Sequence, residues 1–181
     1  LDNLKILQER CVVMDDDLRH LVSLISDTGM RLSEAAGLMN SDINLDCNYP
    51  HIVITPYPHR SLKTMASERI IPLVGKSLWA ARRVVETTDS LYCFPRYTSS
   101  SGCNANSASA AINKWIKTVA DSGAVIHGLR HSFRDRLRAV EAPSEVVDQL
   151  GGWSLKTVGQ GYGDGYKVEI LSKWLEKIVI Q

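Results

Sequence analysis

The residues with the greatest chemical capacity fall between positions 127 and 162. The chain reads His127-Gly128-Leu129-Arg130-His131, then Leu150-Gly151-Gly152-Trp153, then Gly161-Tyr162-Gly163. His127 and Arg130 stand at i and i+3, so on a helix they share a face and can point at one ligand. Both donate hydrogen bonds to oxygen, and the planar fork of an Arg suits phosphate. A Tyr phenol can attack phosphorus and hold it covalently. Each piece also has a plainer reading. An H-x-x-R pair is more often a solvated surface pair, and a lone Tyr is more often half-buried in a core. The rest of the chain must supply the missing parts of a phosphate site.

Three upstream features qualify. Arg31 and Glu34 are again i and i+3 at the start of a short helix; they are either an ordinary surface pair or an Arg held by a carboxylate and aimed into a cleft. Lys63 lies in an exposed connection, where it is either a solubilising charge or a mobile proton donor. The helix from His127 to about Val140 carries Arg130, His131, Arg134, Arg136 and Arg138, the densest cationic stretch in the chain. DNA backbone phosphates are its natural partner, with a solvated basic face as the plainer reading.

That patch matters because the net charge of +1 over 181 residues does not by itself indicate a nucleic-acid protein. Hydrophobic content of 44% and charged content of 23% fit a soluble globular domain with a real core. Cys11, Cys47, Cys93 and Cys103 are widely spaced without a C-x-x-C, which argues against a zinc site and a dense disulfide framework and favours reduced thiols. No apolar run approaches the roughly 18–20 residues that span a bilayer. No basic-then-apolar signal segment opens the chain. The first residue is Leu rather than Met, which points to a piece of a longer polypeptide.

The positioning elements read as follows. Leu18, Leu21, Val22 and Ile25 give a helix over 16–28, started by Asp15, Asp16 and Asp17 and broken at Thr28-Gly29. Ile43–Leu45, His51–Thr55 and 68–73 read as three strands of a small antiparallel sheet, with Lys63 between the last two. Residues 75–88 are helical, Leu91–Pro95 is a short buried run, and 98–107 is an exposed loop. A helix then carries Ala108, Ile112, Trp115, Ile116 and Val119. After the basic helix comes a short one opened by Pro143 and ended by Gly151-Gly152. The alternating glycines from Gly159 to Gly165 make a permissive backbone around Tyr162, suited to a residue that moves. A helix near 167–180 closes the chain, with Ile170, Leu171, Trp174, Leu175 and Ile178 on one face.

Taken together, Thr28-Gly29-Met30-Arg31-Leu32-Ser33-Glu34, Lys63-Thr64-x-x-Ser67, Ile71-Pro72-Leu73, His127-Gly128-Leu129-Arg130-His131, Leu150-Gly151-Gly152-Trp153 and Tyr162 resemble the catalytic domain of the tyrosine recombinases, of phage-integrase type. The resemblance runs in order from about residue 15 to 165. It implies an α+β fold, mainly helical with a small three-stranded antiparallel sheet, and residues 1–181 as one catalytic domain lacking the usual N-terminal DNA-clamping domain. It implies Arg31, Lys63, His127, Arg130, Trp153 and Tyr162 as catalytic residues, with Glu34 supporting Arg31. Position 153 is usually His in this family; Trp donates only and cannot shuttle a proton, so Trp153 is expected to orient and pack. His131, Arg134, Arg136 and Arg138 are expected to contact DNA.

The implied activity is site-specific cleavage and rejoining of double-stranded DNA at attachment-type sites, through a 3′-phosphotyrosyl link, by a homotetramer on DNA (a monomer or weak oligomer alone) in the cytoplasm of a bacterial host. No metal, other cofactor or ATP is expected, and no membrane. Two alternatives keep part of this: a catalytically silent DNA-binding module, and a type IB topoisomerase-like relaxing enzyme.

Overall fold

A computed structural model describes residues 2–120, 123–153 and 165–180. The sheet that anchors the site is formed by β1 (Ile43–Asn44), β2 (His51–Ile54) and β3 (Arg69–Pro72), in the order β1-β2-β3, antiparallel throughout. Val53 pairs with Ile70 and Ile54 with Arg69. Strand side chains alternate between faces, so Ile52, Ile54 and Ile71 are fully buried while Ile70 faces out. By the same parity Arg69 faces inward. Pro72, without an N–H, sits on the edge strand, where it is tolerated.

Eight helices are found among the described residues: α1 (Asp2–Met14), α2 (Asp17–Thr28), α3 (Leu32–Ala36), α4 (Gly75–Thr87), α5 (Ala105–Val119), α6 (Ile126–Ala139), α7 (Ser144–Gly151) and α8 (Val168–Glu176). The expected mainly helical α+β architecture is what the chain adopts. α2 is the centre of the core, packed against α1, α4 and α6. Its start is capped by Asp16, whose carboxylate accepts from the Arg19 N–H at 3.0 Å. Its end is Gly29, at φ +63°, the left-handed conformation that favours glycine. A Cβ there would come within 2.3 Å of the Phe133 ring on α6, so this glycine lets α2 end against α6.

Four local readings change. α1 was not expected; it buries only Leu4, Leu7, Gln8 and Cys11, a stripe too sparse to stand out by periodicity. The first strand stops at Asn44. Within 91–95, Cys93 and Phe94 are buried but Leu91 is 73% exposed, so this is not a uniformly buried run. The expected loop at 98–107 holds a minimal hairpin, Thr98–Ser99 paired with Gly102–Cys103, and α5 begins at Ala105, capped by Asn104 accepting from the Ser107 N–H at 3.0 Å. All four cysteines are free thiols. No helix among the described residues is long and apolar enough to cross a membrane.

Candidate active site

α3 begins directly after the tight end of α2, which fixes Arg31 as its first flanking residue. The Glu34 carboxylate reaches back to the Arg31 backbone N–H at 2.9 Å and takes the Arg31 Nη1 at 2.6 Å. Its other partner comes from the sheet, the Arg69 Nη2 at 2.9 Å. Glu34 is only 2% exposed. Burial alone would raise its carboxyl; the two guanidinium groups and the backbone N–H outweigh burial and hold it below its ordinary value. Glu34 is therefore no ordinary surface partner: it holds Arg31 from a buried position that it shares with Arg69.

Arg31 also donates to the Ser67 hydroxyl at 2.9 Å and to the Gly152 carbonyl at 3.4 Å. Arg130, from α6, donates to the Gly151 carbonyl at 2.6 Å and to the Gly29 carbonyl. Two guanidinium groups from distant parts of the sequence thus reach adjacent peptide carbonyls at the end of α7. Arg130 is pushed down to about 10, first by burial and then by repulsion from Arg31 and Arg69. Its charge is costly as it stands, and an anion would relieve that cost. Each terminal nitrogen of a guanidinium has two N–H bonds, so Arg130 keeps donors beyond the two carbonyls.

Trp153 packs into the same place. Its ring folds back over Gly151, where a Cβ would lie 1.7 Å from it. The Arg130 guanidinium carbon stands 4.4 Å from the indole centroid and that of Arg134 4.9 Å, close enough for cation–π attraction. At this position the indole packs against both guanidinium groups and against Gly151.

The other expected residues are placed as follows. His127 is exposed in the first turn of α6, its ring 4.9 Å from that of His131, which is also exposed. Lys63 is exposed in the β2–β3 connection, next to Thr64, whose hydroxyl is 3.1 Å from that of Ser67. Arg138 is exposed and only loosely paired with Asp135 at 3.9 Å. Arg136 requires correction as a DNA contact. It is 6% exposed, bonded to Asp27 at 3.0 Å, to the Ile178 carbonyl at 2.9 Å and to the Ser26 carbonyl. Its position on α6 turns inward, so it serves the core. Tyr162 and the glycines at 159, 161 and 163 lie outside the described residues.

Comparison with known proteins then decides the lineage: the phage integrase family model matches residues 4–167. The chain belongs to the phage integrase family. No curated protein matches it. Among solved structures, the Tn1549 transposon integrase in complex with circular intermediate DNA superposes with a TM-score of 0.60 at 16% identity, over 95% of this chain and 60% of that one. A single-substitution variant of that integrase with transposon right end DNA gives 0.53 at 16% identity, over 86% and 56%. This integrase-family chain thus spans less than two thirds of the length of these neighbours, and the likeness to them is one of fold.

Sequence reasoning missed Arg69 and Ser67. Ser67 had no distinguishing signal beyond its place in the Lys63-Thr64-x-x-Ser67 motif. Arg69 did have one: it shares strand parity with Ile71, and a cation on the buried face of a strand demands partners.

Proposed function

We propose that this member of the phage integrase family is the catalytic domain, over residues 1–181, of a site-specific DNA recombinase working through a 3′-phosphotyrosyl intermediate. The observation that carries the reading is the convergence of Arg31 and Arg130 on neighbouring carbonyls, beside a buried carboxylate and a stacked indole. Guanidinium groups so arranged can neutralise the charge that builds on the non-bridging oxygens of a phosphodiester under attack.

In this account the Tyr162 oxygen bonds to phosphorus as the P–O5′ bond breaks. A free Tyr has a pKa near about 10 and is mostly protonated at neutral pH; its proton passes to His127 or to solvent. The departing 5′ oxygen takes a proton from Lys63. A 5′-hydroxyl from another strand then reverses the step, so the ester linkage conserves the bond energy. Duplex DNA with attachment-type sites is the substrate, and four copies on DNA carry out exchange, with Arg134, Arg138 and His131 available to backbone phosphates. The DNA held by the Tn1549 integrase structures supports duplex DNA as the partner.

The test is covalent capture. The chain is incubated with a pool of randomised nicked duplexes, and DNA that stays attached after denaturation is sequenced. An enriched sequence and loss of the adduct in Tyr162→Phe, with DNA binding retained, are expected. An adduct that survives Tyr162→Phe would move the nucleophile elsewhere, with Tyr166 the nearest alternative.

A further inference from the structure

The hub of the cluster is a residue with no assigned part in it. Arg69 is buried, its side chain 2% exposed. It makes three directed bonds to three different segments: Nη2 to the Glu34 carboxylate at 2.9 Å, Nη1 to the Ser67 carbonyl at 2.6 Å, and Nε to the Leu150 carbonyl at 2.9 Å. It also fills the space beside Gly152, where a Cβ would stand 2.8 Å from its Nη1.

Each of these partners adjoins a group that touches Arg31 or Arg130. Glu34 holds Arg31 from one side, and the Ser67 hydroxyl holds it from another. Leu150 immediately precedes the two glycines whose carbonyls receive Arg130 and Arg31. One side chain on β3 therefore ties α3, the β2–β3 connection and the end of α7 into one frame.

We infer that Arg69 is a positioning residue for the phosphate site: it touches no substrate, and it sets where Arg31 and Arg130 aim. This rests on the proposed reading of the cluster as a site for a DNA phosphate. Lys cannot replace it, because a single ammonium on a flexible stem cannot span three acceptors in the fixed directions of the guanidinium fork. Arg69→Lys keeps the positive charge beside Glu34, so it separates geometry from charge.

Two readouts test the inference on the full chain. The first is orthovanadate affinity, followed by vanadium NMR, which needs no cleavage. Arg69→Lys should melt cooperatively and bind orthovanadate about tenfold more weakly, since a misplacement of the order of 1 Å in a positioned group has effects of this size or larger. Arg69→Lys should weaken binding less in an Arg31→Lys background than in wild type, because part of its effect runs through the Arg31 guanidinium. The second readout is the covalent trapping rate on the enriched nicked duplex, expected to fall in parallel while DNA affinity holds.

Wild-type affinity or a wild-type trapping rate in Arg69→Lys, losses that multiply in the double variant, a wild-type chain that ignores orthovanadate, or a variant that fails to fold would each overturn the inference. A wild-type chain that binds orthovanadate yet forms no adduct would instead overturn the cleavage reading, leaving the vanadate comparison to decide on Arg69.

Discussion

Glu34 carries more than its share of the site. Its buried carboxylate bridges Arg31 and Arg69, and it also accepts the backbone N–H of Arg31, the residue that flanks the start of its own helix. Removing one member of a buried ion pair typically costs about 3–5 kcal/mol, because the partners keep their charge without its counterpart. The pH dependence follows from the depressed carboxyl. A group whose folded value lies below its unfolded one stabilises fully above the unfolded value and loses that contribution as pH falls through the folded value. Wild type should therefore melt well above Glu34→Gln at neutral pH, with the gap narrowing below the ordinary value of 4.5. Thermal unfolding at stepped pH checks this; a gap that does not change with pH would mean that the carboxylate charge is not what holds the cluster. At this scale the sequence was informative wherever a motif fixed a residue type. It identified Arg31, Glu34, Arg130 and Trp153, all of which meet in space. It misplaced Arg136, because counting cations along a helix ignores which face is buried. Arg136 lies six residues after Arg130, and both turn inward.

At the scale of elements, glycines decide how closely the pieces approach. Gly29 ends α2 in the left-handed conformation and leaves room for Phe133. The resulting position of its carbonyl gives Arg130 one of its two acceptors. Gly29→Ala should destabilise by about 2–4 kcal/mol, combining a strained φ with overpacking against an aromatic ring. Denaturant unfolding should show a lower midpoint with an unchanged slope; an unshifted midpoint would mean that Phe133 has room to move. Helices α2, α4, α5 and α8 were legible because each shows apolar residues at helical spacing, and the sheet because its strands are β-branched and bounded by turns. α1 was not, since its buried side chains include Gln8 and Cys11 alongside only two leucines. The hairpin at 98–103 was missed because two paired residues per strand leave no alternation to read.

Across the whole molecule, a second ion-pair network lies apart from the Arg31–Glu34–Arg69 cluster. Asp27, at the end of α2, receives Arg136 from α6 at 3.0 Å, the Gln8 amide from α1 at 3.1 Å and the Lys76 N–H at the start of α4 at 2.9 Å. Arg136 also holds the Ile178 carbonyl beyond α8. Four helices and the C-terminal segment thus share one buried joint. Arg136→Met should lower stability by about 3–5 kcal/mol through the unpaired Asp27. Arg138→Ala, at an exposed position on the same helix, should leave the melt unchanged and reduce the salt slope of DNA binding by about one. Equal salt slopes for Arg138→Ala and wild type would remove Arg138 from the DNA face.

Under the proposed function, Arg31 and Arg130 act together on one phosphorus. The direct measurement is a double-mutant cycle on the single-turnover trapping rate of the enriched nicked duplex, using Arg31→Ala, Arg130→Ala and the pair. Each single change should slow trapping by about 10²–10³, the usual cost of one donor to the developing charge. The pair should be slower than the worse single by far less than that factor, because groups that act as a unit are non-additive. Losses that multiply in full would show two independent sites and contradict the account.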